Sequence, residues 1–441
     1  MSNRFLEIQM SNKPNDNLVS YRKGMSDLIF QIPSMNSTLI PGSIRLVGKL
    51  RVKKGDGSVV ASTDDIHMDS RLGVWGCFST LTTRSIKHQQ TIENIRHYSH
   101  FLKSYLPLST KNEDNLGHLD ESALVINNYD LNYISNVVKT SANNTGNSFC
   151  VPLPCGLFNG RSGSIPLSDS MLSGLEIKLS LAPDTQVLYA VDGTIGDNQA
   201  FYELDDLKLI CEVRDYTDQE IMSMAKQSQG VFTYQSVSSY YDTINSANAQ
   251  VNFNLGLSKV RSAWASFIPS TFLNSMSNNG YASLMPTINT NGQLASVKKV
   301  VWTKGGALYP KMFDLNNNIR DAPDTSMCDP VLTRDYVSCV IPFVDNHSTM
   351  VGVGTCNRLW TADNTATDKL IPYTKLPDSG LVWGIGMNYD ALGGSGEDFR
   401  TQNLGINIEL DLTEDNPIST FIFVNSEQSV AFNNNGIQVI Q

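Results

Sequence analysis

Charged side chains are scarce in this chain, 17% of its 441 residues, and histidine is scarcer still at six. Low charge combined with 41% hydrophobic residues excludes a charged disordered tail and supplies apolar material for a real core. No apolar run reaches the roughly 20 residues that a membrane-spanning helix needs. The opening stretch from Met1 to Met10 has no signal-peptide core, so synthesis in a cytosol is expected. The seven cysteines (Cys77, Cys150, Cys155, Cys211, Cys328, Cys339 and Cys356) are odd in number, scattered and never spaced CxxC. That pattern points away from a disulfide framework or a zinc ribbon and toward buried, reduced thiols. Sequons at Asn36, Asn143 and Asn346 then mark only polar turns.

Asparagine is abundant instead, at 40 residues alongside 31 glycines, and both types populate turns. Many turns imply many short elements, and period-two alternation dominates between them. In Ile44 to Lys53 the apolar Ile44, Leu46, Leu50 and Val52 fall on one face, and Arg45, Lys49, Arg51 and Lys53 on the other. Similar strands are expected at Phe149 to Leu153, Leu175 to Leu181, Leu204 to Val213, Val251 to Leu257, Tyr336 to Phe343 and Ile406 to Leu412. Apolar β-branched runs add Val297 to Trp302 and Ile418 to Val424. Helices are few. One of about five turns is expected over Ser85 to Leu106 from the spacing of Ile86, Ile92, Ile95, Phe101, Leu102 and Tyr105. A second starts at Thr217, where Thr217 and Glu220 spell a capping box, and a third, shorter one follows Pro269. Long polar loops are expected at 107–122, 139–148, 183–200, 313–331 and 360–380.

An internal repeat sets the architecture. Ser173 to Leu181 aligns with Leu404 to Leu412 at an offset of 231 residues, and each copy is followed three residues later by Asp184 or Asp415. A further apolar strand closes each half. The expectation is an all-β chain of two tandem antiparallel sandwiches: residues 1–216, a linker helix at 217–227, and residues 228–441.

Constellations that carry chemistry are sparse. Glu93, His97 and His100 would share a face of the expected long helix, but three ligands on a solvated face lack a fourth, and no metal or other cofactor is expected. His67, His88, His118 and His347 are isolated, which argues against a cupin-type metal site. Gly393 to Glu397 fails the nucleophile elbow at its last position. Asp378-Ser379-Gly380 has no second copy to form an aspartic dyad. Gly48-Lys49 and Gly384-Ile385-Gly386 lack the context of nucleotide-binding loops. No catalytic, cofactor-binding or metal residue is assigned.

The distribution of charge says more. The net charge of the chain is −10, from 33 basic and 43 acidic residues, yet residues 1–54 hold nine basic and three acidic side chains. That segment carries +6 and the rest −16. It is expected to form a solvated strand face with an arm, or to meet a genome or an anionic membrane.

Taken in order, several segments resemble a known family. They are Phe149 to Pro154 with Gly156-Leu157-Phe158, Ile165-Pro166-Leu167 leading to Leu175 to Leu179, and the ending from Leu404 to Gln441. Gly73-Val74-Trp75-Gly76 leading to Ile92-Glu93-Asn94-Ile95 also looks like the family's strand and following helix. The chain resembles the double jelly-roll major capsid proteins, most closely those of polinton-like viruses and virophages, in the lineage of adenovirus hexons. The resemblance implies two eight-stranded jelly rolls side by side and homotrimeric, pseudo-hexagonal capsomers tiling an icosahedral shell in the virion. Minor capsid and penton proteins would be the partners, and the family brings no catalytic residues. A jelly-roll carbohydrate- or receptor-binding virion protein is the alternative, with Trp360 and Tyr373 in one loop as its aromatic platform. A polysaccharide-degrading enzyme is a third reading, and it lacks a motif.

Overall fold

The computed structural model describes residues 2–12, 20–21, 27–58, 60, 66–69, 72–109, 147–158, 163–190, 200–281, 296–309, 315–316, 383–386, 396–411, 417–433 and 436–441. Sixteen strands among the described residues build two sandwiches of the same topology. The first comprises β1 (Ser2–Gln9), β2 (Asp27–Ile32), β3 (Arg45–Lys54), β4 (Phe78–Ser85), β5 (Thr91–Arg96), β6 (Asn147–Pro152), β7 (Leu175–Leu181) and β8 (Ala200–Asp215). The second comprises β9 (Val231–Ile244), β10 (Asn248–Phe253), β11 (Val260–Pro269), β12 (Ser296–Lys304), β13 (Ala307–Leu308), β14 (Trp383–Gly386), β15 (Leu404–Asp411) and β16 (Ile418–Asn433).

In the first sandwich the sheets run β1-β8-β3-β6 and β2-β7-β4-β5. In the second they run β9-β16-β11-β14 and β10-β15-β12-β13. Every pairing is antiparallel, and each strand of the second sandwich takes the place held by the strand eight positions earlier. Two four-stranded sheets connected in this order are a jelly roll. The repeated segments, β7 and β15, both sit second from an edge, which is why both carry the same alternation of buried and facing residues. Short strands at Ser20–Tyr21 and Ser37–Leu39 flank β8, and Gly436–Ile440 flanks β16.

The β3 alternation is borne out: Leu46, Gly48, Leu50 and Val52 are buried and their basic neighbours half-buried. Helix α1 spans Tyr98–Ser109, α2 is the single turn Asp184–Val187, and α3 spans Asp218–Gln227 between β8 and β9. In α3 the capping box forms as read, with Glu220 N–H donating to Thr217 Oγ1 at 3.4 Å and Thr217 N–H donating to Glu220 Oε2 at 2.8 Å. After Pro269 there is one 3₁₀ turn, Ser270–Phe272.

The expected five-turn helix over Ser85 to Leu106 is wrong in its first half. That segment ends β4, turns, and forms β5 before α1 begins. Ile92, Glu93 and Ile95 of β5 are buried, while Thr91, Asn94 and Arg96 are exposed. Burial at 92, 93 and 95 breaks the strict alternation of a half-wet strand and fits a helical spacing equally well. Gly73 to Gly76, which the resemblance implied to be a strand, lies in the 3₁₀ turn Gly73–Cys77. The loop expected at 183–200 opens with α2 and the short strand Leu188–Tyr189. The strand expected at Tyr336 to Phe343 lies outside the described residues. Of the described cysteines, Cys77, Cys155 and Cys211 are buried free thiols as expected, whereas Cys150 is exposed.

One continuous apolar cluster runs through both sandwiches. Among its fully buried members are Trp75, Tyr98, Tyr105 and Phe101 of the first half and Trp264, Phe267 and Tyr281 of the second. The two halves therefore share a core where they meet.

Candidate functional site at the seam between the sandwiches

Among the features of the first half that face the second are β5, α1 and the 3₁₀ turn Gly73–Cys77. Helix α1 acts as an aromatic wedge. His100 stacks on Phe421 of β16 with ring centroids 4.0 Å apart, Phe101 meets Phe423 edge-on at 5.6 Å, and Tyr105 lies 6.3 Å from Trp264. Rings at these separations add attraction beyond the area they bury. The polar handle of the wedge is satisfied too: Trp264 Nε1 donates to Ser104 Oγ at 2.9 Å.

Glu93 is the polar counterpart on β5. Its carboxylate accepts Gly156 N–H at 3.0 Å and Leu157 N–H at 2.9 Å from its own half, and Val237 N–H of β9 at 2.7 Å from the other. Burial raises its pKa, and the backbone donors oppose that rise. The neighbouring Cys155 thiol is held well above its ordinary value by burial and then by the Glu93 charge. Close backbone approach makes this clamp possible. A Cβ on Gly156 would fall 2.6 Å from Ser236 Cα and closer still to the Gln235 carbonyl oxygen, so the position accepts no side chain. Tyr234 adds a bond from its hydroxyl to the Ile92 carbonyl at 2.7 Å, and Arg96 N–H donates to Ser239 Oγ at 2.9 Å.

At the far end of the wedge, Asp69 Oδ2 meets Lys103 Nζ of α1 at 2.7 Å and accepts from Asn279 Nδ2 of the second half at 2.8 Å. Leu72 N–H donates to the other carboxylate oxygen at 3.0 Å, and Tyr281 donates its hydroxyl to the Gly76 carbonyl at 2.5 Å. The seam is thus an extended interface closed by aromatic stacking and fixed by buried polar anchors.

No protein-family model matches the sequence, and no curated protein matches it. Solved structures do match. The Faustovirus major capsid protein superposes with a TM-score of 0.59 at 7% identity, over 98% of this chain and 90% of that one. The PBCV-1 virus capsid gives 0.57 at 12% identity, covering 99% and 96%. The Sputnik virophage structure gives 0.53 at 10% identity, covering 99% and 88%. This chain has the double jelly-roll fold. At such identities the shared property is the path of the chain, which extends over both rolls and the helix between them.

Placed on the double jelly roll, the expectation that Glu93, His97 and His100 share one helix face is corrected. Glu93 is on a strand with its oxygens turned to backbone amides, while His97, at φ 56°, makes the sharp step from β5 into α1. His100 lies in the aromatic seam, with Gln186 Nε2 2.8 Å from its Nε2. The three do not share a helix face, and among the described residues no group of three or more His, Cys, Asp or Glu is placed to hold a metal.

The basic face of β3 is also different from expectation. Lys53 pairs with Glu203 at 2.9 Å, Lys49 with Asp206 at 3.1 Å, and Arg51 with Asp205, all across the ladder to β8. Arg45 donates to the carbonyls of Gly42 and Ile44 at 2.6 and 3.0 Å. On β1, Arg4 pairs with Asp215 at 3.0 Å. The β3 charge run is answered by acidic residues 150 to 157 positions downstream, which no local window of sequence could reveal. The aromatic platform of Trp360 and Tyr373, Asp378 to Gly380, and Gly393 to Ser395 lie outside the described residues. The seam anchors themselves went unread in the sequence, because Asp69, Lys103 and Asn279 are remote from one another along the chain.

Proposed function

We propose that the protein is a structural major capsid protein that forms pseudo-hexagonal homotrimeric capsomers of an icosahedral shell, and that it resides in the virion. The observation that carries this reading is that two jelly rolls of one topology, fused along a buried seam, make up the chain, with the same path as viral capsid proteins over 98% or more of its length. Two similar sandwiches repeated by a three-fold axis give six similar corners, and a hexagonal outline tiles a surface. Association between neighbours also covers sheet edges that would otherwise invite uncontrolled pairing. A rigid seam suits a building block that must hold one shape, and the role is structural, with no catalysis of external substrates.

On this reading residues 1–216 and 228–441 are the two domains and 217–227 the linker. Neighbouring capsomers are the main partners, with minor capsid and penton proteins at special positions. A genome- or membrane-facing role for the N-terminal segment falls to Lys13, Arg22 and Lys23, which lie outside the described residues, because Lys49, Arg51 and Lys53 of β3 are paired with acidic residues of β8. No helix of the described residues is long and apolar enough to cross a membrane. Multi-angle light scattering on the purified chain tests the reading. A trimer or larger assembly at micromolar concentration is expected, and a stable monomer would contradict it.

A further inference from the structure

Lys103, Asp69 and Asn279 form a buried triad that ordinary packing does not require. Lysine and aspartate are almost never fully buried unless paired, yet here the Lys103 and Asp69 side chains are 5% and 1% exposed and Asn279 is 2% exposed. The two nitrogens, Lys103 Nζ and Asn279 Nδ2, converge on the same oxygen, Asp69 Oδ2, at 2.7 and 2.8 Å. The orientation of the Asn279 amide is fixed at both ends. Tyr281 N–H, which can only donate, bonds to Asn279 Oδ1 at 3.0 Å, and the carboxylate, an acceptor, faces Nδ2.

We infer that Lys103 and Asn279 become joined by an intramolecular amide bond that staples the first roll to the second, with Asp69 carrying the protons. The triad supplies a nucleophile, a base and an electrophile for such a transfer. Lys103 is a nucleophile beside a base in a site shut off from water. Asn279 Cγ is the electrophile, and its oxygen already accepts a backbone N–H where negative charge would develop. The shared contact with Asp69 Oδ2 holds the two side chains side by side.

The ammonium of Lys103 passes a proton to Asp69, and the freed amine lone pair attacks Asn279 Cγ while the carbonyl π electrons move onto Oδ1. Asp69 returns its proton to Nδ2 and accepts one from Nζ. The Cγ–Nδ2 bond breaks, the carbonyl re-forms, and ammonia leaves, taking the proton from Asp69. The net change is one ammonium and one Nζ–Cγ amide for one lysine ammonium and one carboxamide, with the carboxylate regenerated. No oxidant or cofactor enters, and the reaction occurs once per chain.

The test is mass spectrometry of the folded full-length chain after denaturation, with no variant required. The expected result is a mass lower than the sequence mass by one ammonia in essentially every molecule. Digestion should yield a branched peptide containing Lys103 and Asn279, located by fragmentation. Asn279 is followed by Gly280, so a cyclic imide would also lose ammonia, but it would give linear peptides and would overturn the proposal. Lys103→Arg, which keeps a cation beside Asp69, should retain the full mass; loss of ammonia from that variant would count against the staple. The complete sequence mass with linear peptides alone, in protein that is folded by circular dichroism, would rule it out.

Discussion

The indole N–H of Trp264 on β11 donates to Ser104 Oγ on α1 at 2.9 Å, and both side chains are buried at the junction of the two rolls. Ser104 in turn donates to the Phe101 carbonyl at 2.8 Å, so the hydroxyl is held in place as an acceptor for the indole. Ser104→Ala leaves a buried N–H without its partner, a loss of about 1–3 kcal/mol. Urea denaturation followed by tryptophan fluorescence should show a lower midpoint with little change in slope. Trp264→Ala, which also opens a cavity, should cost about 3–5 kcal/mol.

Gly156 faces the backbone of Gln235 and Ser236 too closely for any Cβ. Gly156→Ala should therefore push the rolls apart at the Glu93 clamp and destabilise by about 1–3 kcal/mol or more. Hydrogen exchange should speed up at Val237, whose N–H bonds to Glu93. Unchanged protection there would show that the clamp does not hold the seam.

Acid should weaken the seam through His100. It is buried against Phe421, Tyr281 and Gln186, and burial, followed by the neighbouring His97, keeps its pKa well below the ordinary value. His97 is lowered in the same sense by burial and by Arg96. The unfolded chain then binds more protons than the native one, so stability falls as pH drops below about 6.5. Glu93 acts with the opposite sign, because its raised pKa gives stability that is lost as pH rises through the folded value. Denaturation midpoints measured from about pH 7.5 to 5.5 should decline, and His100→Phe should flatten that decline. An unaltered pH slope in the variant would remove His100 from the account.

Charge reversal on β3 is expected to disturb folding and not merely association. The Glu203 side chain is 3% exposed beside Lys53 at 14%, so Lys53→Glu sets a second carboxylate against a buried one at a cost of about 3–5 kcal/mol. Lys53→Glu combined with Glu203→Lys should recover part of that loss in a double-mutant cycle. Equal stability of the single variant and the parent would contradict the pairing.

Much of the fold was legible because it is written in short-range patterns. The β3 alternation and the Thr217 capping box each depend on residues near one another in sequence, and the recurrence of β7 in β15 is a match between two such local patterns. What escaped depends on burial by distant partners. β5 looked helical because Glu93, buried in a clamp that Val237 of the second roll completes, interrupts the alternation that marks a half-wet strand. The β3 lysines looked like a free basic face because Glu203, Asp205 and Asp206 come far downstream. The seam was invisible for the same reason, since its polar anchors are single residues on unrelated segments and carry no motif.

The most direct test of the capsid reading is electron microscopy of the purified full-length chain in negative stain. The account predicts hexagonal particles with three-fold symmetry, alone or tiled into plates or closed shells. Isolated monomers or elongated spikes across assembly conditions would contradict it.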